Sequence, residues 1–404
     1  MKSKKDNRDR MLKIRFPGFS GPLTEKKLSD VAVFIDERAG ESKYILMSVT
    51  SGVGLISQID KFGREIAGNS SKNYLVIRKW DFAYNKSATK QYPEGYISML
   101  VNQEEAAVPN SIFSCFRIVD KNLQPRFLDY MFHANLHGKW LRKFIEVGAR
   151  AHGSLSVDDT ILFKMPIAFP NVKEQQKITD CLTSLDDLIS AESQKLGILK
   201  DHKKGLMQYL FPAEDETVPK LRFPKFRGEW KVKSLKFVCH MQAGKFISAS
   251  DILEKGDALY PCYGGNGLRG YTKTYNHNGK YPLIGRQGAL CGNVTFAEGK
   301  FYATEHAIVA NPKEGIDVYW LFYKLVKLNL NQYATGQAQP GLSVDNLEKL
   351  PAYVPVDKSE QQEIAVCLSS LDYLINAQSK KIDALKSHKK GLIQQLFPSA
   401  VQEL

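Results

Sequence analysis

Residues 264–306 concentrate the side chains with the most chemistry to offer. Gly265, Gly267 and Gly270 form a Gly-x-Gly-x-x-Gly. That spacing lets backbone N–H groups cradle a pyrophosphate, provided a helix follows at once. Here YTKTYNHNGK follows, which reads as strand and turn, so the glycines are expected to shape a tight turn instead. Glu305 and His306 are neighbours and could pair as acid and base. Adjacent residues on a strand point to opposite faces, so an edge-of-sheet polar pair is the expectation. What remains is recognition chemistry. Asn266, Arg269, Lys273, Arg286 and Gln287 are interleaved with Lys280, Tyr271, Tyr275 and Tyr281. Arg, Asn and Gln can bond two atoms of a purine edge at once, and Lys contacts guanine or phosphate. FAYNKSATKQY (82–92) offers a similar mixture in Tyr84, Asn85, Lys86 and Lys90.

Other chemistries leave no trace. There is no Gly-x-x-x-x-Gly-Lys-Ser/Thr, no His-Glu-x-x-His and no Gly-x-Ser-x-Gly. No Asn-Pro-Pro-aromatic or Asp-Pro-Pro-aromatic box is present to hold a target amine. The six cysteines include no Cys-x-x-Cys pair, so neither a zinc site nor a disulfide framework is expected. No catalytic residue, metal ligand or cofactor site is assigned. The 404 residues carry a formal charge of +13, which points to a polyanionic partner, with nucleic acid first. No run of about 18 apolar residues exists, and the basic N-terminus lacks the apolar core of a signal peptide. A cytoplasmic protein is expected.

The elements that must position these residues are written twice. Residues 174–212 match 360–398 without a gap at 25 of 39 positions. KIRFPGFSG (13–21) returns as KLRFPKFRG (220–228), and GSLSVDD (153–159) as GLSVDN (341–346). The order is arm, variable domain, helix, repeated once. The expected boundaries are an arm at 1–21, a domain at 22–172 and a helix at 173–212. A linker with the second arm follows at 213–228, then a domain at 229–358, a helix at 359–398 and a tail at 399–404.

Each helix carries a heptad seam. In the first it runs through Ile178, Leu182, Leu185, Ile189, Leu196, Leu199, Leu206 and Leu210, with Glu192 and Lys203 as polar interruptions. In the second it runs through Ile364, Leu368, Leu371, Ile375, Ile382, Leu385, Leu392 and Leu396, interrupted at Gln378 and Lys389. Such a stripe must be buried, and the other copy is the matching partner. Antiparallel pairing fits the repeated order better than parallel, because it would let one chain imitate a homodimer. Each helix ends at Leu-Phe-Pro, where proline stops it. The seam lysines could snorkel to solvent or fix the register of the coil.

The domains read as mixed α/β. Short apolar runs broken by glycine suggest strands of a twisted sheet, and DVYWLFYKLVKLNL reads as a helix. The first domain keeps the same order, with RFLDYMFHANLHGKWLRKFI as the matching helix, so the two are expected to share a fold with little shared sequence.

The tandem layout, EQQ-x-I and SLD-x-LI early in each helix, HKKGL-x-Q-x-LFP at its close and K-[IL]-RFP-x-F at the start of each half resemble the specificity subunit of type I restriction–modification systems. YGGNGLRGY, LIGRQGALCGNV and ATEHAIV also resemble phrases of that family's target recognition domains. The resemblance implies an α/β (α+β) fold of two tandem target recognition domains, each followed by a long helix. The helices would pair as an antiparallel coiled coil with pseudo-two-fold symmetry. Each domain would read one half of an asymmetric bipartite sequence in double-stranded DNA. Two modification subunits would use S-adenosylmethionine to methylate adenine N6, and two restriction subunits would add translocation and cleavage with ATP and Mg2+. This chain itself would hold none of these cofactors and do no chemistry. The alternative is a stand-alone methyltransferase or nuclease with tandem DNA-binding domains.

Overall fold

A computed structural model describes residues 12–111, 113–145, 153–154, 159–257, 259–288, 290–336 and 340–397. The expected tail at 399–404, arm residues 1–11 and most of GSLSVDD lie outside them. The chain divides into two compact units, one of residues 1–191 with 382–404 and the other of residues 192–381.

In the first unit, a four-stranded antiparallel sheet runs Ala32–Phe34, Phe113–Ile118, Phe82–Asn85, Tyr96–Met99. The helix Pro125–His133 covers it, burying Phe132 against Phe82 and Phe116. The stretch expected to be one helix here is two. Asn135 takes a left-handed conformation (φ 58°) and restarts the chain as Leu136–Leu141. Asparagine tolerates that region better than most residues.

The second unit holds a six-stranded sheet in the order Cys239–Ala243, Ala307–Pro312, His277–Gly285, Val294–Ala303, Tyr260–Gly264, Gly267–Thr272. The pairing of Tyr260–Gly264 with Val294–Ala303 is parallel and the rest is antiparallel. Two of these strands are longer than the glycine punctuation suggests, at 9 and 10 residues. The expected helix is Val318–Lys327, capped by Asp317, whose carboxylate accepts from Tyr319 N and Trp320 N at 3.0 and 2.9 Å.

In both units, the strand entering the domain pairs antiparallel with the strand leaving it. Thr24–Lys27 pairs with Pro166–Phe169, and Lys231–Ser234 with Pro351–Val354. The leaving strand then feeds a long helix, Val172–Tyr209 (38 residues) or Lys358–Leu396 (39 residues).

Each unit contains a stretch of both helices, and in each they run antiparallel. In the first unit Asp186 meets Lys389, while Ile178 and Leu182 share a core with Leu396 and Phe397. In the second, Glu192 meets Gln378, Lys203 meets Asp372, and Leu210 lies in one core with Ile364 and Leu368. Every seam residue expected from the heptads is buried or half-buried, and most positions between them are exposed. The Leu-Phe-Pro endings do more than stop a helix. Phe397 packs on Phe127, centroids 5.0 Å apart with the rings tilted by 48°, in the first unit. Phe211 is fully buried beside Trp230 and Trp320 in the second.

Candidate nucleic-acid interface

The interface consists of a framework common to both units and a face that differs between them. Arg15, in the first arm, places Nε 2.8 Å and Nη2 2.5 Å from the two carboxylate oxygens of Glu174. Its Nη1 donates to Gly21 O at 2.6 Å. Arg222, in the second arm, repeats the set, with Nε and Nη2 each 2.8 Å from Glu360 and Nη1 donating to Gly228 O at 2.5 Å. Both glutamates are buried in the first turn of their helix. A buried carboxylate needs such a fork of donors, because an unpaired charge there costs several kcal/mol, roughly 3–5. Hydrogen bonding to the Glu174 carboxylate holds Arg15 above the usual arginine value.

The next residue is a second latch. Gln175 Oε1 accepts from Gln124 N at 2.9 Å, and its amide donates to Asn122 O and Pro170 O at 2.8 and 2.7 Å. Gln361 does the same with Asp317 N (2.8 Å), Gly315 O (3.1 Å) and Pro355 O (3.4 Å). Three turns on, Tyr130 donates to Asp186 Oδ2 at 2.9 Å, and Lys389 pairs with Asp186 from above the Tyr130 ring. In the other unit Tyr323 donates to Asp372 Oδ2 at 2.7 Å, and Lys203 pairs with Asp372 at 2.6 Å. Burial pushes the Tyr130 phenol up to about 12, so it stays a donor. Each seam lysine thus pairs with an aspartate of the other long helix. The Arg–Glu latch escaped the sequence reading: both motifs recur in pairs, but recurrence does not say which motif touches which.

The variable face is clearest in the second unit. Gly265 and Asn266 form the two-residue turn of a hairpin closed by the pair Gly264 and Gly267, the latter at φ 83°. The tip lies directly on the GRQG segment: a Cβ on Gly285 would stand 2.0 Å from Gly265 O. Between them runs a groove of about 590 Å3 lined by Asn266, Leu268, Arg269, Gln287, Leu290 and His306. Arg286 is fixed through its backbone, donating to His306 O and accepting from Leu342 N, both at 2.9 Å. Its half-buried guanidinium has no partner among the described residues. Arg269, Gln287 and Asn266 are exposed around the groove, and Lys273 is exposed outside its lining. Lys280 is taken: Glu298 at 2.8 Å and the Tyr319 hydroxyl at 2.9 Å hold it above the usual lysine value.

Glu305 and His306 correct the sequence reading. They lie in the turn between Val294–Ala303 and Ala307–Pro312, not on a strand, and the turn brings Oε1 and Nε2 to 3.3 Å.

The first unit corrects more. Tyr84 is fully buried and its hydroxyl donates to Glu94 O at 2.8 Å. Asn85 is buried too, donating to Val49 O and accepting from Ser87 N. Both sit on a central strand whose side chains face packed layers, so neither can reach a ligand. Lys86 is paired with Asp159 at 3.0 Å. Lys90 alone of the four is exposed and has no partner among the described residues.

Two β-rich modules with unlike faces, held to long helices by the same buried contacts, define a tandem recognition protein. A family model, the type I restriction modification DNA specificity domain, matches residues 35–200 and again 227–387, and the chain belongs to that family of type I specificity subunits. It is 35% identical over 272 residues to the type I restriction enzyme EcoprrI specificity subunit of Escherichia coli, spanning 66% of this chain and 67% of that one. It is 26% identical over 305 residues to the MjaVIII specificity subunit of Methanocaldococcus jannaschii, spanning 68% and 70%. Among solved structures, the type I restriction–modification S subunit from M. genitalium superposes with a TM-score of 0.63 over 97% of this chain and all of that one, at 16% identity. No helix among the described residues is long and apolar enough to cross a membrane.

Proposed function

We propose that each unit reads one half of an asymmetric, bipartite DNA sequence, and that the chain directs adenine-N6 methylation or restriction carried out by partner subunits. The observation that carries this reading is the contrast between framework and face. Equivalent latches hold both modules, while what they present differs: a groove lined by Asn266, Arg269 and Gln287 in the second unit, and the exposed Lys90 in the first. A protein that read the same word twice would have no reason to differ there. The antiparallel pairing of the two long helices within each unit supports the reading that these helices set the spacing of the half-sites.

In the assembled complex, two modification subunits supply S-adenosylmethionine chemistry, and two restriction subunits supply ATP- and Mg2+-dependent translocation and cleavage. This chain contributes recognition. Direct base contacts in the second unit come from Arg286, Arg269, Gln287 and Asn266, and Lys273 and Lys90 meet phosphates.

The test is a methylome. The chain is expressed with its cognate modification subunit in a host lacking other adenine methylation, and methylated adenines are mapped by single-molecule sequencing. One bipartite word, methylated in both halves, is expected. Methyl transfer by the purified chain alone would overturn the reading in favour of a stand-alone enzyme.

A further inference from the structure

Leu268 and Leu290 are both 53% exposed, and both line the second unit's groove. Neither belongs to a buried core of that unit. Leu268 is one residue from the exposed Arg269, on the arm of a hairpin whose tip is pressed onto GRQG. Leu290 follows the backbone-anchored Arg286–Gly288 segment. The fold therefore leaves two exposed aliphatic residues at the lining of a groove otherwise furnished with hydrogen-bond donors, both on hydrogen-bonded backbone. If the occupant were only a phosphate backbone, aliphatic side chains there would gain nothing. A base edge in the major groove offers one aliphatic target, the 5-methyl group of thymine.

We propose that Leu268 and Leu290 are specificity-determining residues that pack against thymine methyl groups in the half-site read by the second unit. Arg269 and Gln287 bond the neighbouring base edges. This rests on the DNA-reading function above and adds how part of the word is chosen. Packing requires only that the methyl leave water, so each contact discriminates by about the burial of one carbon, roughly fourfold in affinity.

Replacing thymine by deoxyuridine deletes the methyl group and keeps every Watson–Crick hydrogen bond. The test places single deoxyuridines across the half-site found by the methylome and measures binding of the chain in complex with its modification subunits. One or two positions should lose about three- to fivefold affinity for the wild-type complex. Leu268→Ala or Leu290→Ala should abolish that loss at its own position while leaving deoxyuridine effects elsewhere unchanged. Deoxyuridine costing the same in wild type and both variants, or costing nothing anywhere in this half-site, overturns the proposal. A rise in 2-aminopurine fluorescence at one step that both Leu→Ala variants suppress, without a deoxyuridine effect, would make the leucines wedges between bases and also overturn it. If the complex binds no sequence preferentially, the DNA-reading function fails instead, and binding to random DNA tells the two failures apart.

Discussion

The Lys203 ammonium lies 2.6 Å from the Asp372 carboxylate, across 169 residues of sequence, and 5.3 Å over the ring of Tyr323, which donates to the same carboxylate. One aspartate thus receives a cation from the first long helix and a hydroxyl from a domain helix. Lys389, Asp186 and Tyr130 form the same triad in the other unit.

Because the triad is half-buried, its parts should be coupled. Lys203→Ala should destabilise the protein by about 1–3 kcal/mol, leaving Asp372 with the tyrosine alone. In a double-mutant cycle by urea denaturation, Lys203→Ala and Asp372→Ala should show an interaction of at least ~0.5 kcal/mol. Strict additivity would mean that the lysine only snorkels.

Phe397 and Phe211 are both buried at helix ends, in different units. Removing either ring opens a cavity costing about 3–5 kcal/mol. Hydrogen exchange should localise the damage: Phe397→Ala should lower protection in the sheet containing Phe82 and Phe116, and Phe211→Ala in the core around Trp320. Equal loss everywhere from either variant would show that the two cores unfold as one.

Lys324 is buried, only 3% exposed, with its ammonium 5.7 Å over the Tyr353 ring and no carboxylate partner among the described residues. Burial pushes its pKa down to about 8 from the usual 10.5. The folded chain therefore releases this proton earlier than the unfolded chain. Between about pH 8 and 10.5 the unfolded state binds more protons, so this residue's effect is a stability that rises with pH across that window. In the first unit the residue after the triad tyrosine is Met131, not lysine. Lys324→Met should remove the slope and stabilise the protein at neutral pH by up to about 3 kcal/mol. Urea midpoints at pH 7, 8.5 and 10 for both proteins measure it. A variant no more stable than wild type at pH 7 would show that water reaches the ammonium.

Inserting one heptad into both long helices keeps the seam continuous and adds about 10.5 Å of helix. The methylated word should keep both half-sites and prefer a spacer longer by up to about three base pairs. Four inserted residues turn the seam off its partner and should damage assembly. An unchanged spacer in an active heptad variant would place the ruler elsewhere.

The framework was largely legible because it is written twice. The 25 identities in 39 positions marked both helices, and the period of the leucines marked their buried faces. The interface was less legible, and its failures follow from the fold. FAYNKSATKQY is polar and aromatic like a reading loop, but Phe82–Asn85 is a central strand, so its tyrosine and asparagine are spent on internal bonds. Type and spacing cannot tell a free lysine from one paired with an aspartate 73 residues away, as Lys86 is with Asp159. Nor could they show that Glu305 and His306 lie in a turn, which depends on where two strands of another pairing end.

Each module is entered and left through one antiparallel strand pair, backed by an arginine of the preceding arm on a glutamate of the following helix. The polymer between is thus a closed loop whose ends are tied before its contents matter. For such a loop, doubling the contour length adds only about 0.6 kcal/mol of closure entropy. Genetic exchange that swaps everything between the knots, whatever its length, leaves the knots intact. The architecture should therefore acquire new reading heads by recombination far more readily than by stepwise substitution inside an existing groove.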